Sequence, residues 1–383
     1  MMSLEALIAP RLFNGETFLD HHALLIERET IAAVVPRSDV PSHAAVTTLP
    51  SGLVAPGFID AQVNGGGGRL FNETPDVDTL GAIAAAHRKH GSTALLPTYI
   101  TDKPEGMKLA IEAAKAAITE GVPGIAGIHL EGPYLSVARK GAHDPALIRP
   151  LTEEDVDLIL GCGIETILLT VAPENAPNRL IRRLAEGGVI VSLGHTDADY
   201  DTAMAAADAG ATGITHLFNA MSPLQNREPG VTGAALDHGG LWAGIIADGH
   251  HVHRGTLSLA LRAKRAPGRL FLVSDAMPTA GDPKDVFYLN GRKVTRRNGA
   301  LTLDNGTLAG SDLTMDHAVR YSVDHLGIDL GEVLRMASLY PAQFLKLDRH
   351  RGRLAPGFRA DLVHLDEALA TRGLWIAGSK LVG

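Results

Sequence analysis

Residues 188–218 read GVIVSLGHTDADYDTAMAAADAGATGITHLF, and their order decides the fold. The run 188–193 is apolar and stops at Gly194-His195. An alanine-rich stretch, 199–209, comes next and is just long enough for a helical crossover. A second apolar run, 212–217, then carries His216. Two parallel strands need a long connection, usually a helix, so strand–helix–strand spacing reads as one parallel β/α unit. The two histidines therefore fall on adjacent strands.

The same alternation extends both ways. Apolar runs occur at 53–63, 93–100, 124–130, 165–171, 188–193, 212–217, 241–246 and 270–274. Among the intervening segments, 79–90 ends in basic residues and stops at Gly91, as a helix C-terminus should. Segment 153–160 follows Thr152 with two acids in its first turn, which suits the positive end of a helix dipole. Near-continuous apolar strands alternating with helices indicate a parallel sheet covered on its outer face. Eight such units predict an α/β fold of the (β/α)8 TIM-like barrel type over 55–354. Periodicity alone leaves a doubly wound sheet as the alternative.

Two regions break the pattern. Residues 285–308, DVFYLNGRKVTRRNGALTLDNGTL, place Asn-Gly turns between β-like runs and predict a β-hairpin insertion. Residues 1–54 and 355–383 hold short β-like pieces, broken in the first by prolines. Together they predict a small β-sandwich domain formed from both chain termini.

Composition sets limits. The 383 residues are 45% hydrophobic and 20% charged, enough for a large core and unlike a disordered chain. A net charge of −8 opposes nucleic-acid binding, which needs a basic face. One cysteine, Cys162, excludes a disulfide framework and suits a reducing compartment. No apolar run reaches the length of a membrane span, about 18 residues. The opening MMSLEALIAPRLFNG lacks the marks of a secretory leader, so a cytoplasmic location is expected.

In a parallel barrel the chemistry collects where strands end. Glu131, Glu174, His195, His216, Asp248 and Asp275 each follow an apolar run and are expected to face one mouth. Glu131, His195 and His216 form a candidate metal set, because one carboxylate and two neutral imidazoles leave a divalent ion an open position for water. Asp275, in FLVSDAMP, is the candidate general base; a turn or cap aspartate is the plainer reading of it alone. The cluster Asp248-Gly249-His250-His251-Val252-His253 allows a second metal site or a substrate contact, and we favour the contact for His251. His87 and His90 read as surface residues at a helix end, and Gly65–Gly68 as a flexible bend without phosphate-loop spacing.

At this point the chain resembles the N-acetylglucosamine-6-phosphate deacetylase family of amidohydrolases. The similar segments include PGFIDAQVNG (56–65), HLEGPYL (129–135), KGAHDP (140–145), LGHTDA (193–198), THLFNAMSPL (215–224), ADGHHV (247–252), VSDAM (273–277), LAGSDLTM (308–315) and GRLAPGFRADLVHLD (352–366). The resemblance implies metal-dependent hydrolysis of N-acetylglucosamine 6-phosphate to glucosamine 6-phosphate and acetate. It also implies one divalent metal per subunit on Glu131, His195 and His216, with Zn2+ expected and Fe2+, Co2+, Mn2+ or Ni2+ as alternatives. Asp275 becomes the catalytic acid/base, and His143 a second donor to the oxyanion. Implied substrate contacts are Ala142, His143, Asn219, Ala220, Arg227, His251, Leu308, Ala309 and Gly310. Without the resemblance, Arg227 in QNREPG reads as a solvated surface charge. A homodimer is implied, with a phosphate-binding side chain crossing from the neighbouring subunit. Gln62 and Asn64 stand where two-metal relatives carry His-x-His, so a single metal is expected. The rival readings are another amidohydrolase with the same metal site and a metal-free scaffold.

Overall fold

A computed structural model describes residues 4–383. Eight parallel strands run in chain order around a barrel: Phe58–Val63, Ser92–Ile100, Ile128–Glu131, Ile167–Val171, Ile190–Leu193, Gly213–Ile214, Trp242–Ile245 and Leu270–Leu272. Side-chain and backbone hydrogen bonds stitch the seam between the first and last of them. Asp60 Oδ1 accepts from the Ser274 N–H at 3.1 Å, and the Asp275 N–H donates to the Gln62 carbonyl at 2.9 Å. This is the (β/α)8 architecture, and the doubly wound alternative falls.

Helix boundaries follow capping chemistry. Val77–Arg88 starts where Asp76 accepts from the Thr79 N–H, and Tyr200–Asp208 where Asp199 accepts from the Thr202 N–H. Glu153–Gly161 opens on a reciprocal Thr152–Asp155 box, with Arg149 forked onto Asp155 at 2.6 and 2.7 Å. Each cap satisfies N–H groups that the first turn leaves without a partner.

The run 53–63 divides into two strands. Leu53–Pro56 belongs to a six-stranded sheet, while Phe58–Val63 enters the barrel. Gly57 makes the step, because a Cβ there would lie 2.1 Å from Thr93 Oγ1. The six-stranded sheet joins Arg11–Phe13 and Phe18–Asp20 from one end of the chain to Leu362–Leu365, Thr371–Ile376 and Ser379–Val382 from the other. A four-stranded sheet, built from Leu4–Ile8, His22–Glu27, Thr30–Pro36 and Ala45–Thr48, faces it. Leu7, Leu24 and Ile31 from this sheet share a core with Leu12, Leu362 and Trp375 from the other.

Residues 286–311 form more than a hairpin. Val286–Leu289, Arg292–Arg297, Ala300–Leu303 and Leu308–Ser311 make a four-stranded antiparallel sheet. Asn290-Gly291 and Asn298-Gly299 turn with positive φ at both residues, the geometry that matches strand twist. Its Leu289, Val294, Leu301 and Leu303 pack with Leu70, Ile100 and Met277 beside the barrel mouth.

Two expectations need correction. His87 is buried on the inner face of its helix, and its Nε2 bonds the Gly65 carbonyl at 2.9 Å. The helical period that aligns Leu80, Ile83 and Ala84 with the barrel turns His87 inward too. The glycine run is pinned by that contact: Gly65–Gly66 pairs with Arg69–Leu70, and a Cβ on Gly66 would sit 2.8 Å from His87 Nε2.

Candidate metal centre and active site

Glu131 closes the third strand, while His195 and His216 follow the fifth and sixth. His195 and His216 Nε2 lie 3.2 and 3.0 Å from Glu131 Oε1 and 3.1 Å from each other, all buried. Ligands bound tetrahedrally at about 2.0–2.1 Å stand roughly 3.3 Å apart, so this triangle fits a small divalent ion. His195 Nδ1 is 3.0 Å from the Arg139 carbonyl, which requires Nδ1–H and leaves the Nε2 lone pair facing the carboxylate. Two electron-rich groups in that geometry call for a cation between them.

The backbone is bent to aim these groups. His195, His216 and Asp275 have φ of +48°, +32° and +53°, left-handed values that cost side-chain-bearing residues about 1–3 kcal/mol each. This conformation ends the sixth strand at Ile214, short of the apolar run's limit at 217. Backbone bonds oppose the strain: Ser136 N–H to the His195 carbonyl at 2.8 Å, and Ser311 N–H to the Asp275 carbonyl at 2.9 Å.

Asp275 sits across the mouth from the triangle. Gln62 Nε2 donates to Glu131 Oε1 and to Asp275 Oδ1 at 3.1 Å each, and Asn64 Nδ2 donates to Asp275 Oδ1 at 2.7 Å. Burial pushes Asp275 up to about 6, and the neighbouring Glu131 carboxylate acts in the same direction. Burial would raise Glu131 as well, but the His195 and His216 rings beside it outweigh burial and hold it well below the usual carboxylate range. A carboxyl poised near neutrality beside one kept ionised is the arrangement that separates base from ligand.

A cavity of about 530 Å³ opens above these groups. Ala142, His143, Asn219, Ala220, His251, Leu308, Ala309 and Gly310 all line it. His143 is buried with its ring centroid 4.4 Å from that of His195, and Thr101 Oγ1 holds its Nδ1 at 2.8 Å. Burial, reinforced by His195, pushes His143 down to about 3, so the ring is neutral. Arg227 stands apart, exposed on the loop before helix Gly230–Asp237 and outside the cavity lining.

Glu174 does not join the mouth. It accepts from Thr196 Oγ1 at 2.6 Å and the Asp197 N–H at 2.7 Å, holding the turn after His195. Asp248 lies behind the cavity wall and bonds His251. Thr101 and Arg292 escaped the sequence reading. The Arg292 guanidinium, on the inserted sheet, donates to the Ala142 carbonyl. Asp-x-x-His spacing at 248–251 was a legible signal; the reach of Arg292 across the fold was not.

A parallel barrel with a buried carboxylate–imidazole triangle and a facing aspartate defines the class of metal-dependent barrel hydrolases. The comparisons agree: residues 53–379 match the amidohydrolase family and residues 6–50 the NagA composite domain. The chain belongs to the amidohydrolase family. It is 45% identical over 333 residues to an N-acetylgalactosamine-6-phosphate deacetylase of Shewanella sp. (strain ANA-3), covering 87% of this chain and 84% of that one. It is 35% identical over 360 residues to an N-acetylglucosamine-6-phosphate deacetylase of Haemophilus influenzae, covering 93% and 94% of the two chains. The crystal structure of N-acetylglucosamine-6-phosphate deacetylase from Pasteurella multocida superposes with a TM-score of 0.95 at 36% identity, over 99% of this chain and 100% of that one.

Proposed function

We propose that this chain hydrolyses the N-acetyl group of an N-acetylhexosamine 6-phosphate, releasing acetate and the free amino sugar phosphate. The observation that carries the reading is the Glu131–His195–His216 triangle with Asp275 facing it, bridged to Glu131 through the Gln62 amide. A divalent metal in that triangle, for which zinc suits the donor set, supplies Lewis acidity toward an amide carbonyl and an attacking water. Asp275 takes the proton of the attacking water and returns it to the departing nitrogen, which as an unprotonated anion leaves very poorly. Gln62 and Asn64 occupy one carboxylate oxygen of Asp275 and so fix which oxygen meets the proton. His143, held neutral and tethered at Nδ1, offers Nε2–H to the developing oxyanion.

The phosphate end is assigned to His251 and to backbone N–H groups near Asn219. Arg227, exposed on its own subunit, serves a neighbouring one in a homodimer. Motif order supports N-acetylglucosamine 6-phosphate as the substrate. The 45% identity to the Shewanella enzyme favours a second reading, the C4 epimer N-acetylgalactosamine 6-phosphate.

Acetate release from both phosphorylated epimers and both free sugars, before and after chelation, tests these readings together. Turnover only with the 6-phosphates, lost on chelation and restored by metal, is expected. Equal turnover of the free sugars would defeat the phosphate assignment, and the ratio between epimers decides the substrate.

A further inference from the structure

The hydroxyl and phosphate ends of a sugar phosphate need partners as well as the scissile amide, and the cavity wall supplies one through an unassigned carboxylate. Asp248 follows the seventh strand, and three donors converge on it. Its Oδ1 accepts from the His250 and His251 N–H groups at 2.8 and 2.9 Å, and its Oδ2 lies 2.6 Å from His251 Nδ1. The Asp248 and His251 side chains are 8% and 6% exposed, so the pair is shielded from water. His251 lines the cavity and Asp248 does not.

A carboxylate only accepts, so this contact fixes the proton of His251 on Nδ1 and leaves Nε2 as the ring nitrogen free to serve the cavity. Among the described residues the one arginine in the cavity lining, Arg139, is already paired with Asp197 at 2.7 Å. Within one subunit, His251 is therefore the lining group left to meet an anionic ligand end alongside the Arg227 proposed to come from a neighbour.

We propose that Asp248 is a positioning residue for substrate binding: it locks one proton of His251 on Nδ1, and its charge balances the ring once Nε2 takes up a second proton from water to meet the substrate phosphate. The inference rests on the function proposed above. Its structural half, the proton on Nδ1, does not.

Asp248→Asn is the informative variant. Its amide oxygen inherits the two backbone N–H groups, which leaves the NH2 facing His251 Nδ1. Two donors then oppose each other, and the ring must adopt the other tautomer or swing away. KM for the hexosamine 6-phosphate should rise roughly 10- to 100-fold, the range of a lost charge-assisted bond, with kcat moving less. Preference for the phosphorylated over the free sugar should shrink by the same factor. In a His251→Ala background the same substitution should add nothing, since coupled residues are non-additive. An unchanged KM, or an equal added loss in that background, would overturn the proposal.

Nitrogen-15 spectra of the histidines provide the independent arm, which Asp248→Ala extends should the asparagine variant fold poorly. His251 should carry its proton on Nδ1 in the wild type and lose that preference in either variant. A wild-type ring protonated on Nε2 alone would also overturn the proposal. Wild-type protein inactive on every hexosamine 6-phosphate defeats the functional reading, while these spectra still decide the role of Asp248.

Discussion

Asn64 Nδ2 lies 2.7 Å from Asp275 Oδ1, and Gln62 Nε2 reaches the same oxygen at 3.1 Å. Two neutral amides thus occupy one oxygen of the carboxyl, and Oδ2 is left to exchange a proton. The amides after the first strand are thus spent as donors to Asp275, and as neutral groups they are poor metal ligands.

Asp275→Asn should therefore keep the metal and lose roughly 10²–10⁴-fold in kcat, the span of general acid–base catalysis. Elemental analysis and steady-state kinetics check both halves. Near-normal turnover would remove Asp275 from proton transfer. Asn64→Ala should lower kcat by about tenfold without changing metal content.

Chelation should lower the melting temperature as well as the activity. A ligand at a hundred times its Kd stabilises the native state by about 2.7 kcal/mol, and the buried triangle can exert that linkage. Glu131→Gln should melt at the same temperature with or without added metal. A metal-dependent shift in that variant would place the ion elsewhere.

The bond from Arg292 to the Ala142 carbonyl joins the inserted sheet to the loop that carries His143. Arg292→Ala should weaken this tie by about 1 kcal/mol, roughly a fivefold fall in kcat/KM. Amide exchange in residues 137–143 should quicken in parallel, and Arg292→Lys should restore part of both. Exchange that stays at the wild-type rate would mean that the loop holds itself.

Burial pushes His87 down to about 4, against about 6.5 in an unfolded chain. Between those values the unfolded state binds a proton that the native state refuses. Stability is therefore lost as pH falls from 6.5 to 4, by about 3 kcal/mol in all. His87→Gln keeps a donor for the Gly65 carbonyl and removes the titration, so its urea-unfolding free energy should fall less steeply over that window. An identical acid limb would show that His87 is already protonated in the native protein.

Much of this molecule is written locally. Apolar runs and alanine-rich crossovers specify the barrel, because strand and helix periods are short-range properties of the chain. The strand-end positions of Glu131, His195, His216 and Asp275 follow from that alternation, since the fold gathers strand ends at one mouth; which of the strand-end residues face it does not, because Glu174 and Asp248 lie outside the cavity lining. Asn-Gly pairs marked the inserted β structure, although the number of strands depended on how they paired. His87 was misread because its place at the basic end of the helix was weighed above the period, which continues the Leu80–Ile83–Ala84 stripe to it. Tertiary structure alone decided the rest. It bent three site residues into left-handed backbone, gave Asp275 two amide donors from the opposite side of the barrel seam, and brought Arg292 to Ala142. Those relations join residues as much as 213 positions apart, and only the closure of the barrel and the packing of the insertion bring them within bonding distance.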